Sequence, residues 1–328
     1  MLYSVTMIGV ILLNLGGPDS LNAVKPFLYN LFSDRDIIKL GPPFLQKPIA
    51  ALIANTRAKK TMDAYSLIGG KSPLLDITKA QAYALEESLN SSRFTVHGSR
   101  SFKVYVGMRY WYPFIEETLK QMYNDGIRKI FALSMYPHYS IATTGSSVKK
   151  FKEVAAKYSV EYSCVLSWFN HPMYIDALVE NIKKSLEHFT EKPAVLFSAH
   201  SLPQKFIDDG DPYVKETQGT IDEILKKIDV QWHLSFQSKS GPVKWLEPST
   251  EHMLHEFAQK GVKNLLVVPI SFVSDHIETL YEIDILYKNM ASELGINLIR
   301  MQSLNTSPKF IEALADIVMK KLADLKWS

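Results

Sequence analysis

Hydrophobic residues in this chain follow two periods. Residues 8–13, 103–107, 130–133, 195–197 and 265–268 form short apolar runs, too short for helices and bounded by Gly, Pro or polar clusters, which predicts buried parallel strands. Residues 23–32, 49–67, 77–89 and 308–325 repeat at helical spacing instead, and Gly69-Gly70-Lys71-Ser72-Pro73 breaks that pattern. A further helix follows Asp211-Pro212-Tyr213 and closes at residues 226–229. Strands that alternate with helices predict an α/β protein.

The pattern also repeats. Arg109-Tyr110-Trp111-Tyr112-Pro113 leads through a helix to Gly126 and the strand around Ile130, and Lys244-Trp245-Leu246-Glu247-Pro248 leads through a helix to Gly261 and the strand around Leu265. The two units lie 135 residues apart with the same Pro-to-Gly spacing, which predicts Pro in the helix first turn and Gly as the helix stop. Residues 10–18 parallel residues 195–203 at an offset of 185, so Leu15 and His200 are equivalent loop positions. The first half therefore carries about 50 extra residues, placed between Lys25 and Pro73. The expected fold is two similar doubly wound, Rossmann-like parallel-sheet domains with a ligand cleft between them at the strand carboxyl ends. Residues 1–175 with 306–328 make the first domain, its insertion at about 25–73, and residues 176–305 make the second.

Composition narrows the function. A chain of 328 residues, 46% hydrophobic, can bury two cores. With 37 basic against 34 acidic residues it has no polybasic field, which argues against a nucleic-acid partner. The single cysteine, Cys164, excludes an intrachain disulfide, a cysteine zinc site and a four-cysteine iron–sulfur cluster, and fits a reducing cytoplasmic setting. No apolar run is long enough to span a bilayer, and export is not expected, since the first residues lack a charged region followed by a cleavable apolar core. The weakly charged segment 41–54 reads either as core or as an exposed apolar lip near the mouth of the cleft.

Chemistry concentrates after two strands. Residues 265–268 are followed by Asp275, His276, Glu278 and Glu282, where a helix from about Ser274 would set the three acids on one face. Asp275 with Glu278 also fits a capping box, so the stretch reads both as a helix start and as part of a cation or proton site. His200 follows residues 195–197 in Ser198-Ala199-His200-Ser201-Leu202-Pro203, suited to proton transfer near neutrality or to a borderline metal. The equivalent of the acidic stretch in the first half is Tyr136-Pro137-His138-Tyr139-Ser140, with aromatic surfaces for a planar ligand or simply a helix cap. Gly16-Gly17-Pro18 lacks the third glycine of a dinucleotide fingerprint.

Several motifs in a fixed order then carry a resemblance. Leu15-Gly16-Gly17-Pro18, Phe32-Ser33-Asp34-Arg35-Asp36, Gly69-Gly70-Lys71-Ser72-Pro73, Tyr136-Pro137-His138-Tyr139-Ser140, Ser198-Ala199-His200-Ser201-Leu202-Pro203, Gln237-Ser238-Lys239 and Ser274-Asp275-His276-Ile277-Glu278 together resemble a ferrochelatase of the bacterial type. That resemblance implies insertion of Fe2+ into protoporphyrin IX to form protohaem, with coproporphyrin III ferrochelatase or a porphyrin carrier of the same fold as alternatives. It implies His200 and Glu278 as the catalytic and metal-meeting pair, with Asp275, His276 and Glu282 completing a polar network. Leu15, Ser72, Arg109, Tyr136, Tyr139, Ser140 and Trp245 match porphyrin-binding positions, and Arg57, Lys60 and Ser238 match groups that hold the propionates. The joint presence of His200 and Glu278 favours the enzyme over the carrier, and Leu15 stands where the coproporphyrin-using branch often has Tyr. Fe2+ is expected as substrate, with no tightly bound cofactor and, given Ile141 after Ser140 and no C-terminal cysteines, no iron–sulfur cluster. Residues 41–54 are expected to touch the inner membrane peripherally, and an upstream porphyrin-producing oxidase is an expected partner.

Overall fold

The protein is described here by a computed structural model covering residues 6–91, 100–325 and 327. It divides into two compact units, one running to Trp168 and resuming at Asn305, the other spanning Phe169–Leu304. The boundary expected after residue 175 falls inside a helix that belongs wholly to the second unit, because its apolar face packs there and a helix cannot be shared at that point.

In the first unit β1 (Thr6–Asn14) is followed by α1 (Val24–Ser33), α2 (Gln46–Ser66), α3 (Leu74–Asn90), β2 (Arg100–Met108), α4 (Ile115–Asn124), β3 (Lys129–Ser134), α5 (Ser146–Ala155) and β4 (Glu161–Val165). The second unit contains α6 (Pro172–Leu186), β5 (Ala194–His200), α7 (Gln204–Asp208), α8 (Tyr213–Leu225), β6 (Trp232–Gln237), α9 (Thr250–Gln259), β7 (Asn264–Pro269), a π-helix (Glu278–Tyr287), α10 (Lys288–Glu293) and β8 (Asn297–Arg300). Helix α11 (Pro308–Asp324) completes the first unit. Each sheet has four parallel strands, ordered β2-β1-β3-β4 and β6-β5-β7-β8. The central strands are buried on both faces, which is why they read as continuous aliphatic runs.

The register reproduces the sequence repeat residue for residue. Leu13 pairs with Ser134 and Ser198 with Pro269, so the offsets of 185 and 135 hold together in one pairing. The equivalence continues past the strand ends, where Met135 N–H donates to Leu13 O and Ile270 N–H to Ser198 O. Equivalent cores form on equivalent faces. Leu119, Ile130 and Phe151 belong to one, Leu254, Leu265 and Ile283 to the other.

Pro113 and Pro248 do not occupy the helix first turn. Each lies just before the N-cap, Phe114 or Ser249, and its carbonyl accepts from the strand-end N–H of Met108 or Phe236. The proline closes the turn after the strand, so it sits outside the helix it announces.

The insertion is α1, α2 and the loop joining them. Gln46 is buried at the foot of that loop and uses its whole amide. Its Nε2 donates to the carbonyls of Phe32 and Ile38, and its Oε1 accepts from Leu40 N–H and the Arg35 guanidinium. Above this anchor Phe44 is 77% exposed and Leu52 62%, while Ala50 and Ala54 are buried, so the segment presents one apolar face to solvent and packs the other into the core. Among the described residues no helix is long and apolar enough to cross a membrane.

Candidate active site

The strand order of the second sheet reverses between β5 and β7, and in doubly wound sheets ligands bind beyond the strand carboxyl ends at that point. His200 is the last residue of β5, and the loop after β7 passes beside it. Its backbone is fixed on both sides: His200 N–H donates to Ser271 Oγ at 2.9 Å, and Tyr213 donates its hydroxyl to His200 O at 2.9 Å. The imidazole Nδ1 lies 2.8 Å from Glu278 Oε2, so Nε2 is the ring nitrogen that this bond leaves for other chemistry. Phe272 packs edge-on against both His200 and His276.

The acidic stretch is built differently from the capping box that its spacing suggests. The helix starts at Glu278, not near Ser274, and Asp275 does not cap it with Glu278 as partner. Thr279 does the local work: its hydroxyl accepts His276 N–H and donates to Asp275 Oδ1. This frees the Glu278 carboxylate for His200. Asp275 is turned to Arg300, 2.9 Å away, and to Ser303.

Glu278 and Glu282 lie one turn apart and share one hydroxyl. Ser238 Oγ is 2.6 Å from Glu278 Oε2 and 2.5 Å from Glu282 Oε2. Ser238 reaches both from a left-handed backbone, φ 67°, unusual for a residue with a side chain. Gln237 adds bonds from Nε2 to Glu278 O and Glu282 Oε2, and is itself oriented by Ser198.

These contacts divide the protons. Burial disfavours the His200 cation, but the Glu278 charge and hydrogen bond outweigh it, with help from Glu282, and hold the pKa above the ordinary imidazole value. Burial likewise opposes the Glu278 anion, yet His200 and the bonds around it keep Glu278 well below the usual carboxylate range. Glu282 goes the other way: burial and the Glu278 charge push it up to about 7. Two carboxylates on one hydroxyl thus titrate in separate ranges, Glu278 in acid and Glu282 near neutrality. His276 is held neutral by burial and donates Nδ1–H to Ser274 O.

Trp245 lies on a segment that pairs antiparallel with the loop following His200, through Gln204 N–H to Lys244 O and Leu246 N–H to Leu202 O. The remaining expected residues belong to the first unit. Leu15 is half-buried at the end of β1, followed by Gly16 at φ 86°. Ser72 is buried against Gly17, where a Cβ would come within 2.5 Å of the serine side chain. Tyr136 and Tyr139 line the loop after β3, and Ser140 caps the short π-turn Ile141–Gly145 by accepting Ala142 N–H. Arg57 is half-buried over the Phe32 ring on α2, and Lys60 is exposed one turn on. Arg109 is already engaged: its guanidinium donates to Asp34 at 2.7 Å and to Ser146, and Tyr110 donates to the same carboxylate.

Sequence reasoning missed Asp34, Gln237 and Arg300 as parts of these networks. The first two stand inside motifs that were legible. Arg300 had one signal, a cation at the end of the short run that forms β8.

A solved metal chelatase shares this architecture of two parallel-sheet units. The sirohydrochlorin chelatase SirB from Bacillus subtilis subspecies spizizenii, solved in complex with cobalt, matches the fold at a TM-score of 0.55 with 12% identity, over 97% of each chain. The chain belongs to the ferrochelatase family, whose model matches residues 7–322. It is 51% identical to the ferrochelatase of Geotalea uraniireducens (strain Rf4), over 96% of this chain and 98% of that one. It is 53% identical to that of Geobacter metallireducens (strain ATCC 53774 / DSM 7210 / GS-15), over 95% and 97%.

Proposed function

We propose that this protein inserts Fe2+ into protoporphyrin IX, releasing the two pyrrole N–H protons and forming protohaem as a step of haem biosynthesis. The observation that carries this reading is the His200–Glu278 pair at the β5 switch point. An imidazole with Nε2 facing substrate can accept a pyrrole proton near neutral pH, and Glu278 stabilises the imidazolium that results. Ser238 and Glu282 continue the path, and a carboxyl that titrates at about 7 can take up and release protons there. Nitrogen and oxygen donors also suit Fe2+ that must be passed on.

Arg57 and Lys60 would hold the propionates, while Leu15, Ser72, Tyr136, Tyr139, Ser140 and Trp245 would grip the ring; Ser238, bonded to Glu278 and Glu282, and Arg109, bonded to Asp34 and Ser146, would act through those partners instead. Remote binding of about 1 to 5 kcal/mol can be used to distort the macrocycle so that the ion enters from one face. In this reading Fe2+ is substrate, no resident cofactor is required, and porphyrin arrives from an upstream oxidase. The protein works in the cytoplasm, with the lip around Phe44 dipping into the membrane surface where porphyrin partitions.

The test is to mix purified protein with Fe2+ under anaerobic conditions, or with Zn2+, and follow porphyrin absorbance with protoporphyrin IX and coproporphyrin III in parallel. Metallation of protoporphyrin IX at the higher rate is expected. No metallation above background would reject the activity, and faster turnover of coproporphyrin III would reject the substrate.

A further inference from the structure

The two units share one scaffold but differ in the helix that follows the third strand. In the first, the π-turn after β3 lasts five residues, Ile141–Gly145, and passes into α5. In the second, the π-helix after β7 runs for ten, Glu278–Tyr287, before α10. π-helices are mostly single turns, so the longer one needs an outside restraint. The register identifies a difference in the neighbouring strand. Cys164 pairs with Ala132 in the first sheet, and at the equivalent place Arg300 pairs with Val267 in the second.

Arg300 is 9% exposed and grips the segment at two points. Nε and NH2 fork onto both oxygens of Asp284 within the π-helix, at 2.8 Å each. NH1 donates to Asp275, ahead of the helix, at 2.9 Å, and to Met301 O and Ser303 Oγ. Glu278 lies between the two anchors.

We propose that Arg300 is a positioning residue for the reaction, its guanidinium holding Asp275 and Asp284 so that the intervening π-helical segment presents Glu278 to His200. A planar fork satisfies two carboxylates at fixed angles, which an ammonium cannot do. Arg300 touches neither His200 nor Glu278, so its effect passes through the backbone of the helix. The role rests on the proposed chelatase reaction at His200 and Glu278.

The experiment compares wild type, Arg300→Met, Arg300→Lys and Asp284→Asn as full-length proteins, below each one's melting temperature, in the Zn2+–protoporphyrin assay. Arg300→Met is expected to lower kcat by about tenfold or more with porphyrin KM within about twofold, since misplacing a catalytic group by an ångström costs up to about a hundredfold. Lys should restore only part of the loss, and Asp284→Asn should lower kcat in the same sense by less. An Arg300→Met kcat within twofold of wild type, full recovery with Lys, or a loss shared equally by porphyrin KM would overturn the proposal. Where Arg300→Met does not fold, Asp284→Asn decides: kcat must fall with KM unchanged. A wild type without activity would reject the chelatase reading itself, a separate outcome.

Discussion

Ser238 Oγ stands 2.5 Å from Glu282 Oε2, and the same hydroxyl stands 2.6 Å from Glu278. A hydroxyl has one proton to donate, so it cannot donate to two carboxylates at once. The second contact is satisfied when Glu282 carries the proton, in accord with its raised pKa and the lowered one of Glu278. The pair is therefore an ionised acid, Glu278, beside one that titrates near neutrality, Glu282, with His200 at its head.

Removing the charge of Glu278 should uncouple this chain. Glu278→Gln keeps the shape but cannot stabilise an imidazolium, and kcat should fall by about 10²-fold or more. Porphyrin affinity, measured by quenching of tryptophan fluorescence, should change little. Unaltered kcat would remove Glu278 from the mechanism.

Glu278 and Glu282 should affect stability with opposite dependence on pH. Glu282 has a folded pKa above its unfolded value of 4.5, so its contribution is full below about 4.5 and is lost as pH rises through about 7. Glu282→Gln should therefore gain melting temperature relative to wild type between pH 5 and pH 8. Glu278 is depressed, so its contribution is present above 4.5 and is lost as pH falls toward its folded value. Glu278→Gln should be destabilised at pH 7, with the gap closing in acid. Parallel melting curves for both variants across this range would contradict the assignment.

The lip should depend on one amide. Gln46→Leu leaves the Phe32 and Ile38 carbonyls and the Leu40 N–H without their partner. An unsatisfied buried polar group costs about 1 to 3 kcal/mol. Limited proteolysis within residues 34–45 should accelerate at least as much as global stability falls, and an unchanged cleavage rate would show that other contacts hold the loop.

Asp34 should behave as the buried partner of Arg109. Its side chain is 7% exposed, and Asp34→Ala takes the carboxylate from Arg109 and the Tyr110 hydroxyl, leaving each with only the neutral Ser146 hydroxyl from this network. Breaking one side of such a pair costs about 3 to 5 kcal/mol. Urea denaturation would measure it, and a loss below 1 kcal/mol would make the pair a surface contact in energetic terms.

The sequence by itself determined the two sheets, their internal duplication and the strand ends that matter. Those follow from local chemistry: aliphatic runs buried on both faces, turns at Gly and Pro, and a repeat whose offsets survive in the register of Leu13 with Ser134 and Ser198 with Pro269. His200 and Glu278 were legible as candidates, being charged groups that follow apolar strands. Only the tertiary structure decided what each acid does. Spacing made Asp275 and Glu278 a capping box, but a cap is a weak local bond, and Arg300, Thr279 and His200, brought in by folding, offer these carboxylates stronger partners. The same holds in the first unit, where Arg109 is committed to Asp34 across 75 residues of chain. No pattern along a strand or helix encodes such pairings, because they depend on which ends the sheet brings together.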